Sequence, residues 1–189
     1  MTDRVRKDMA GSTPPFEAAR LGNPLDFLCE AHAREREVCA LLDRLAVAER
    51  PDRAAAGRAL AFLQHELPLH VADEEDDLFP LLRRRCEPAD QIDAVIARLT
   101  SDHREVGGCA PEILGHLHQI EDGGPRLLDD ARAALARYAA QTRYHLIFEN
   151  AVILPFARLR LTKRDLESLR LRMLQRRGYE PNTEVQDAL

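Results

Sequence analysis

The sequence predicts an all-α protein, an antiparallel up-and-down four-helix bundle with one extra short helix near the C-terminus. Three observations predict it. Apolar residues recur at steps of three and four along almost all of residues 24–160, as they do on one face of a helix. No segment shows a convincing period-two alternation, so we expect essentially no strands. The connections between helical segments are short, which favours neighbouring helices that run in opposite directions.

The first two helices are bounded by capping and turn residues. Asn23 is a candidate N-cap with Pro24 at the first helical position, so helix one is predicted from about 24 to 48. A Pro-Asp turn follows, and helix two is predicted from about 52 to 85. Pro68 lies inside helix two and is expected to kink it, because proline removes one backbone hydrogen bond.

The later helices are bounded in the same way. Helix three is predicted to begin near residue 89 and to end at the loop 122–125, which has the sequence Asp-Gly-Gly-Pro. Helix four is predicted from about 126 to 158. The sequence Thr-Lys-Arg-Asp at Thr162 resembles a capping box and predicts a last helix that ends before Gly178.

The same pattern predicts the domain organisation. Residues 1–23 mix charges with glycine and proline without a sustained period, so we interpret them as a loose tail. Residues 24–160 form the predicted domain and residues 161–178 the C-terminal helix. Residues 179–189 are interpreted as a frayed tail. The C-terminal helix is expected to pack outside the bundle or to mediate self-association, for example as a homodimer.

Composition excludes several classes of function. The chain has 189 residues with 27 basic and 32 acidic side chains, a net charge of −5, which makes a poor nucleic-acid binder. Its apolar runs are too short to span a bilayer, and the N-terminus has no apolar signal segment. We therefore expect a cytoplasmic protein with neither a nucleic-acid nor a membrane partner. The four cysteines form no Cys-x-x-Cys motif and are interpreted as reduced thiols.

Six polar residues interrupt the apolar stripes where the core is expected. Each of the four long helices contributes one histidine, and helices two and four each add a glutamate four residues later: His32, His70, Glu74, His103, His145 and Glu149. Because residues i and i+4 share a helix face, each His-x3-Glu pair can present a nitrogen and an oxygen to one point. Burying such groups unpaired is costly, and bound cations would compensate.

The two His-x3-Glu pairs belong to an internal repeat. The spacing His-x3-Glu-x5-Pro occurs at 70–80 and again at 145–155, and a lone stripe histidine precedes each copy. Two such helix pairs facing each other would form a roughly two-fold site for two metal ions, with the carboxylates placed to bridge. A mixed nitrogen and oxygen site suits iron or manganese, and zinc remains an alternative.

With these motifs the chain resembles the haemerythrin-like HHE cation-binding domain family over roughly residues 24–158. The resemblance implies a non-haem di-iron site with an oxo- or hydroxo-type bridge between the irons. It also implies that the four histidines and two glutamates of the stripes are the metal ligands. The up-and-down bundle topology known in this family agrees with the helix pattern.

The chain also departs from the oxygen-carrying haemerythrins. Those proteins have a second histidine on the third helix four residues after the first, where this chain has Gly107. The resemblance therefore implies that one iron loses a protein ligand and gains room for water or substrate. The acid on helix four is Glu149, as in HHE-type variants, rather than the later aspartate of the oxygen carriers. Both differences disfavour reversible oxygen carriage.

Five further residues are candidates around this site. An extra carboxylate could fill the gap at Gly107, and the candidates are Glu35, Glu75 and Asp77. Thr142 lies on the stripe one turn before His145 and is a candidate hydrogen-bond donor to the ligands. Tyr138 lies on the same stripe, two turns before His145. It could control access to the metal site or simply belong to the core.

The first functional hypothesis is a di-iron protein that binds or senses oxygen, nitric oxide or hydrogen peroxide, or handles iron. One alternative is an enzyme or iron donor that decomposes peroxide or repairs iron–sulfur clusters. Repair factors of this type carry a preceding cysteine-bearing segment, and residues 1–23 contain no cysteine. Another alternative is an interaction module regulated by its metal. No residue of the sequence is assigned a catalytic role.

Overall fold

The structure, a computed structural model, describes residues 21–124 and 126–179. Within these residues every regular element is a helix, which confirms the predicted all-α class. None of the described helices is long and apolar enough to cross a membrane. Of the tails predicted at 1–23 and 179–189, residues 1–20 and 180–189 lie outside the described part of the chain, as does Pro125 of the predicted loop.

The first two helical stretches cover the N-terminal half. The first stretch is a single helix, α1 (Pro24–Val47). The second stretch alternates between α-helix and the wider π-helix: α2 (Arg53–Ala61), π1 (Phe62–Glu66), α3 (Leu67–Ala72), π2 (Asp73–Leu78) and α4 (Phe79–Arg85). Helix two is therefore present with the expected bounds, but it is not one continuous α-helix.

The C-terminal half follows a short 3₁₀ turn at Pro88–Asp90. Its elements are α5 (Ile92–Glu121), α6 (Asp129–Phe148), π3 (Glu149–Ile153), α7 (Leu154–Arg160) and α8 (Lys163–Arg176). The third stretch is α5, the fourth is α6–π3–α7, and α8 is the predicted last helix. The fourth stretch begins at Asp129 rather than near 126, because Leu128 is extended and Leu127 is buried in the core.

Each π segment directly precedes a proline at the second position of the next α-helix. The three prolines are Pro68, Pro80 and Pro155. A proline ring clashes with the carbonyl of the residue four positions earlier, and those carbonyls lie at positions 64, 76 and 151, inside the three π segments. A widened turn relieves that clash. The kink expected at Pro68 is thus resolved as a π segment.

The four stretches form a helical bundle. Helix α1 contacts α2 and α6, and α5 also contacts α2 and α6, so each long stretch touches two others in a closed ring. Two apolar clusters fill the interior. One includes Leu42, Leu60, Ile113 and Leu135, and the other includes Leu28, Leu82, Ile96 and Ile153. Along each stretch the polar stripe residues lie between these two clusters.

The second cluster extends beyond the four stretches at both ends of the chain. Leu21, which was predicted to belong to the N-terminal tail, is fully buried in this cluster. Helix α8 contributes Leu169, Met173 and Leu174 to the same cluster and contacts α1 and π2. The last helix therefore covers the end of the bundle that the second cluster fills.

Two arginines of α8, and Arg177 at its C-cap, hold this helix against the second stretch. Asp73 of π2 accepts hydrogen bonds from Arg176 at 2.5 Å and from Arg177 at 2.6 Å. Asp77 of the same segment forms ion pairs with Arg172 at 3.0 Å and with Arg176 at 2.8 Å. Both aspartates are buried. We call Asp73, Asp77, Arg172, Arg176 and Arg177 the arginine clamp.

The start of α8 is fixed by the predicted capping box. Thr162 N–H donates to Asp165 Oδ2 at 2.9 Å, and Asp165 N–H donates back to Thr162 Oγ1 at 3.2 Å. Arg85 at the end of α4 adds two hydrogen bonds to the Asp165 carboxylate, at 2.8 and 2.9 Å. Asp165 therefore caps α8 and joins it to the second stretch.

Replacing Asp165 by alanine is expected to lower the free energy of unfolding by about 2 kcal/mol, from a lost cap and lost charged hydrogen bonds. The bonds from Arg85 and then Thr162 hold the pKa of Asp165 well below its usual range. Its contribution is thus present above about pH 4 and is lost as the pH falls through the lowered pKa. Urea unfolding at pH 7 and pH 3 measures both effects. Glu167→Ala, which breaks an exposed pair with Arg170, is the control and should change little.

Candidate metal centre

The six stripe residues converge at one level of the bundle. The Nε2 atom of His32 lies 3.4 Å from Glu74 Oε1 and 3.4 Å from Glu149 Oε2. The Nε2 atom of His103 lies 3.5 Å from Glu74 Oε2 and 3.5 Å from Glu149 Oε1. Both glutamates therefore lie between the histidines of the first and third stretches.

The remaining two histidines each face the glutamate one turn along their own stretch. His70 Nε2 lies 3.8 Å from Glu74 Oε2, and His145 Nε2 lies 2.6 Å from Glu149 Oε1. In each pair the residues are four positions apart, as the sequence repeat predicts. All four histidines thus turn the same ring nitrogen towards the two carboxylates.

These residues form two overlapping groups that could hold metal ions. One group is His32, His70, Glu74 and Glu149, and the other is Glu74, His103, His145 and Glu149. Within each group the candidate ligand atoms lie within 4.8 Å of one another. Because both glutamates belong to both groups, each carboxylate can offer one oxygen atom to each of the two groups.

The donor atoms fit a cation better than they fit one another. Glu74 and Glu149 are fully buried, yet Glu74 Oε2 and both oxygens of Glu149 have no partner with hydrogen-bond geometry. Even the short contact between His145 and Glu149 is not aligned as a hydrogen bond. Two ligands bound at about 2.1 Å to one metal ion lie roughly 3 to 3.5 Å apart, which matches most of the distances above.

The family comparison agrees with this geometry. Residues 23–167 match the family model described as "Hemerythrin HHE cation binding domain". The chain belongs to the haemerythrin family. The matched range includes all six converging residues of the haemerythrin domain. A comparison with curated proteins found no match.

The electrostatics of the haemerythrin domain favour a cation at this level. Burial would lower the pKa of His32 and His103, but the glutamates outweigh it and raise these pKa values to about 9 and about 11. Burial would raise the pKa of Glu74, yet His70 and then His103 and His32 hold it well below its usual range. Glu74 therefore stays ionised and attracts positive charge.

Two further carboxylates lie behind the histidines of the second group. Glu75 Oε1 lies 2.7 Å from His103 Nδ1, and Asp102 Oδ2 lies 3.6 Å from His145 Nδ1. A carboxylate on the outer ring nitrogen fixes the orientation and tautomer of a ligating histidine. Glu75, a candidate extra ligand, thus lies on the far side of His103. Asp102 is not among the residues predicted from the sequence, because its partner is on another helix and no spacing within one helix marks it.

The other two candidate carboxylates have different surroundings. Glu35 is buried, and its Oε2 lies 3.9 Å from His70 Nε2, next to the first group. Burial, and then the charge of Glu149, raises the pKa of Glu35 to about 8. Asp77 instead belongs to the arginine clamp, facing α8. Only Glu35 of the three extra candidates lies beside the histidine nitrogens that face Glu74 and Glu149.

A cavity of about 360 Å³ adjoins the two groups. Its polar lining comprises Glu35, His70, His103, Thr142 and His145, and Gly107 belongs to its wall. A Cβ atom at Gly107 would meet no atom within 4 Å, so the expected open space beside this residue is present. The Oγ1 atom of Thr142 has no hydrogen-bond partner in the described structure. Tyr138 is buried in the first apolar cluster and does not line this cavity.

Proposed function

We propose that this haemerythrin domain binds two iron ions, one in each His/Glu group, in an up-and-down bundle. The shared position of Glu74 and Glu149 carries the proposal, because two metal ions would satisfy the buried carboxylate oxygens that the protein leaves without partners. Four imidazoles, which give up their extra protons on metal binding, and two carboxylates form a mixed donor set that suits iron. The short connections at 48–52, 86–91 and 122–128 support alternating helix directions.

The proposed role of the centre is to bind or sense oxygen, nitric oxide or peroxide. Iron supplies the redox-active centre to which such molecules bind. The chain supplies the space beside Gly107 on α5, where no side chain fills the position one turn after His103. Glu75 orients His103 through the hydrogen bond to its Nδ1 atom, while the apolar clusters on both sides keep water from the buried carboxylates.

The metal content of freshly purified protein tests this proposal. We expect about two irons per chain by elemental mass spectrometry, as in other two-metal helical bundles. Nitric oxide added to the reduced protein should then change its optical spectrum. Zinc as the resident metal would leave the site in place and refute the redox role. A chain that holds no metal after iron reconstitution would refute the metal centre itself.

A further inference from the structure

The cavity beside the metal centre opens between the second stretch and α5. These two stretches contact each other through α2 and through α4. Between those contacts the cavity wall consists of Leu67, Pro68 and Val71 on one side and of Val106 and Ala110 on the other. All of these are apolar and, except for the exposed Pro68, partly buried. The route from solvent to the centre is therefore lined by hydrocarbon.

The cavity is much larger than a diatomic molecule needs. A water molecule occupies about 30 Å³ of liquid, so the space corresponds to roughly ten waters. Its volume of about 360 Å³ instead falls in the range of pockets that hold small organic ligands. Space for metal-bound water takes only a part of it. The remaining volume has room for an occupant with an apolar body.

Two buried polar side chains with complementary hydrogen-bonding capacity line the cavity. Glu35 is 5% exposed and Thr142 is 3% exposed, and both line the cavity. The Thr142 hydroxyl has no protein partner and can donate a hydrogen bond, while the Glu35 carboxyl can accept one. A hydroxyl-type group on a ligand accepts and donates at once. It therefore matches this pair.

We infer that the cavity binds an organic molecule with an apolar body and one terminal O–H group, as in an alcohol or an alkyl hydroperoxide. The apolar body lies between the second stretch and α5, and the O–H group faces Glu35 and Thr142 beside the centre. The inference deepens the proposed function and rests on it, because it names a ligand class for the same site. Alcohols and hydroperoxides share the recognised group and differ by one oxygen atom.

Two neighbouring glycines of α5 provide a matched test. Gly107 and Gly108 are both exposed, and a Cβ at either would meet no atom within 4 Å. Only Gly107 lines the cavity. Leucine at either position removes a helical glycine, with the same gain in helix propensity. The variants Gly107→Leu and Gly108→Leu therefore differ in whether the new side chain lies at the cavity.

The probes are cumene hydroperoxide and 2-phenyl-2-propanol, which have the same apolar body. Binding is measured by ligand-observed NMR titration of the zinc-loaded full chain, which avoids redox turnover. We expect both probes to bind the unmodified chain, and Gly107→Leu to bind them about tenfold more weakly, equivalent to about 1.4 kcal/mol. Gly108→Leu should match the unmodified chain. The more tightly bound probe identifies whether the source is a hydroperoxide or an alcohol.

The metal content of the same samples separates the two proposals. A chain that retains two metal ions but binds neither probe overturns the ligand inference and leaves the proposed function intact. If both leucine variants bind the probes equally more weakly, the ligand inference is also overturned, because the cavity would then not be the binding site. A chain that holds no metal refutes the proposed function, and with it the ligand inference that rests on that function.

Discussion

The Glu149→Ala variant is expected to lose stable loading of two metal ions. Glu149 is fully buried, belongs to both His/Glu groups and has no hydrogen-bond partner for either oxygen. Its removal takes one carboxylate from each group at once. We expect the metal content to fall from about two ions per chain to at most about one, because each group is then left with three ligands. Elemental mass spectrometry after desalting measures it.

Two companion variants make this result interpretable. Asp76→Ala removes an exposed carboxylate two residues after Glu74 on π2, and it should keep the full metal content. Glu149→Gln keeps the side-chain shape and removes the charge, so it reports on ligation when alanine disturbs the fold. Helix content by circular dichroism separates loss of metal from loss of fold. Unchanged metal in folded Glu149→Ala would show that Glu149 is not a shared ligand.

The Asp73→Ala variant is expected to produce the largest loss of stability. Asp73 is fully buried and takes hydrogen bonds from Arg176 and Arg177, of which Arg177 is itself nearly buried. The variant takes this carboxylate from Arg177, whereas Arg176 keeps its ion pair with Asp77. Removal of one partner of a buried ion pair costs about 3 to 5 kcal/mol. For a chain of this size we expect the melting temperature to fall by roughly 10 °C. Thermal unfolding followed by circular dichroism at 222 nm tests it.

An exposed ion pair gives the control. Asp93→Ala breaks the pair between Asp93 and Arg83, which is exposed on both sides, and should change stability by less than about 1 kcal/mol. Asp73→Asn, which retains hydrogen-bond acceptance from the arginines, should recover part of the loss. A melting temperature for Asp73→Ala that equals that of Asp93→Ala would mean that the arginine clamp does not hold α8 in place.

Much of the helical framework could be predicted from local sequence. Capping chemistry placed the start of α1 at Pro24, and Thr162 with Asp165 placed the start of α8. The convergence of the stripe histidines and glutamates follows from helix periodicity, because each lies in register with buried leucines. Their role as metal ligands stays a prediction that the metal measurements address.

The remaining features depend on contacts between helices, which periodicity does not encode. Asp77 was a candidate ligand, but the arginines of α8 determine its direction. The pairing of Asp102 with His145 likewise joins two different helices. The burial of Leu21 depends on the second apolar cluster, which forms only when the whole bundle is assembled. Such arrangements need the three-dimensional structure.

The π segments have a consequence for protein engineering. In both copies of the repeat the glutamate lies in a π segment, π2 or π3, and the following proline begins the next turn. A π turn holds one more residue than an α turn, so the residues after it are rotated by about 100° relative to an ideal helix. If a His-x3-Glu pair were grafted alone onto a straight helix, the residues that follow the glutamate would face a different direction from the one they have in this bundle. The smallest motif that can be transferred is therefore His-x3-Glu-x5-Pro. Deletion of a single residue between the glutamate and the proline would remove the π turn and misplace the residues after it.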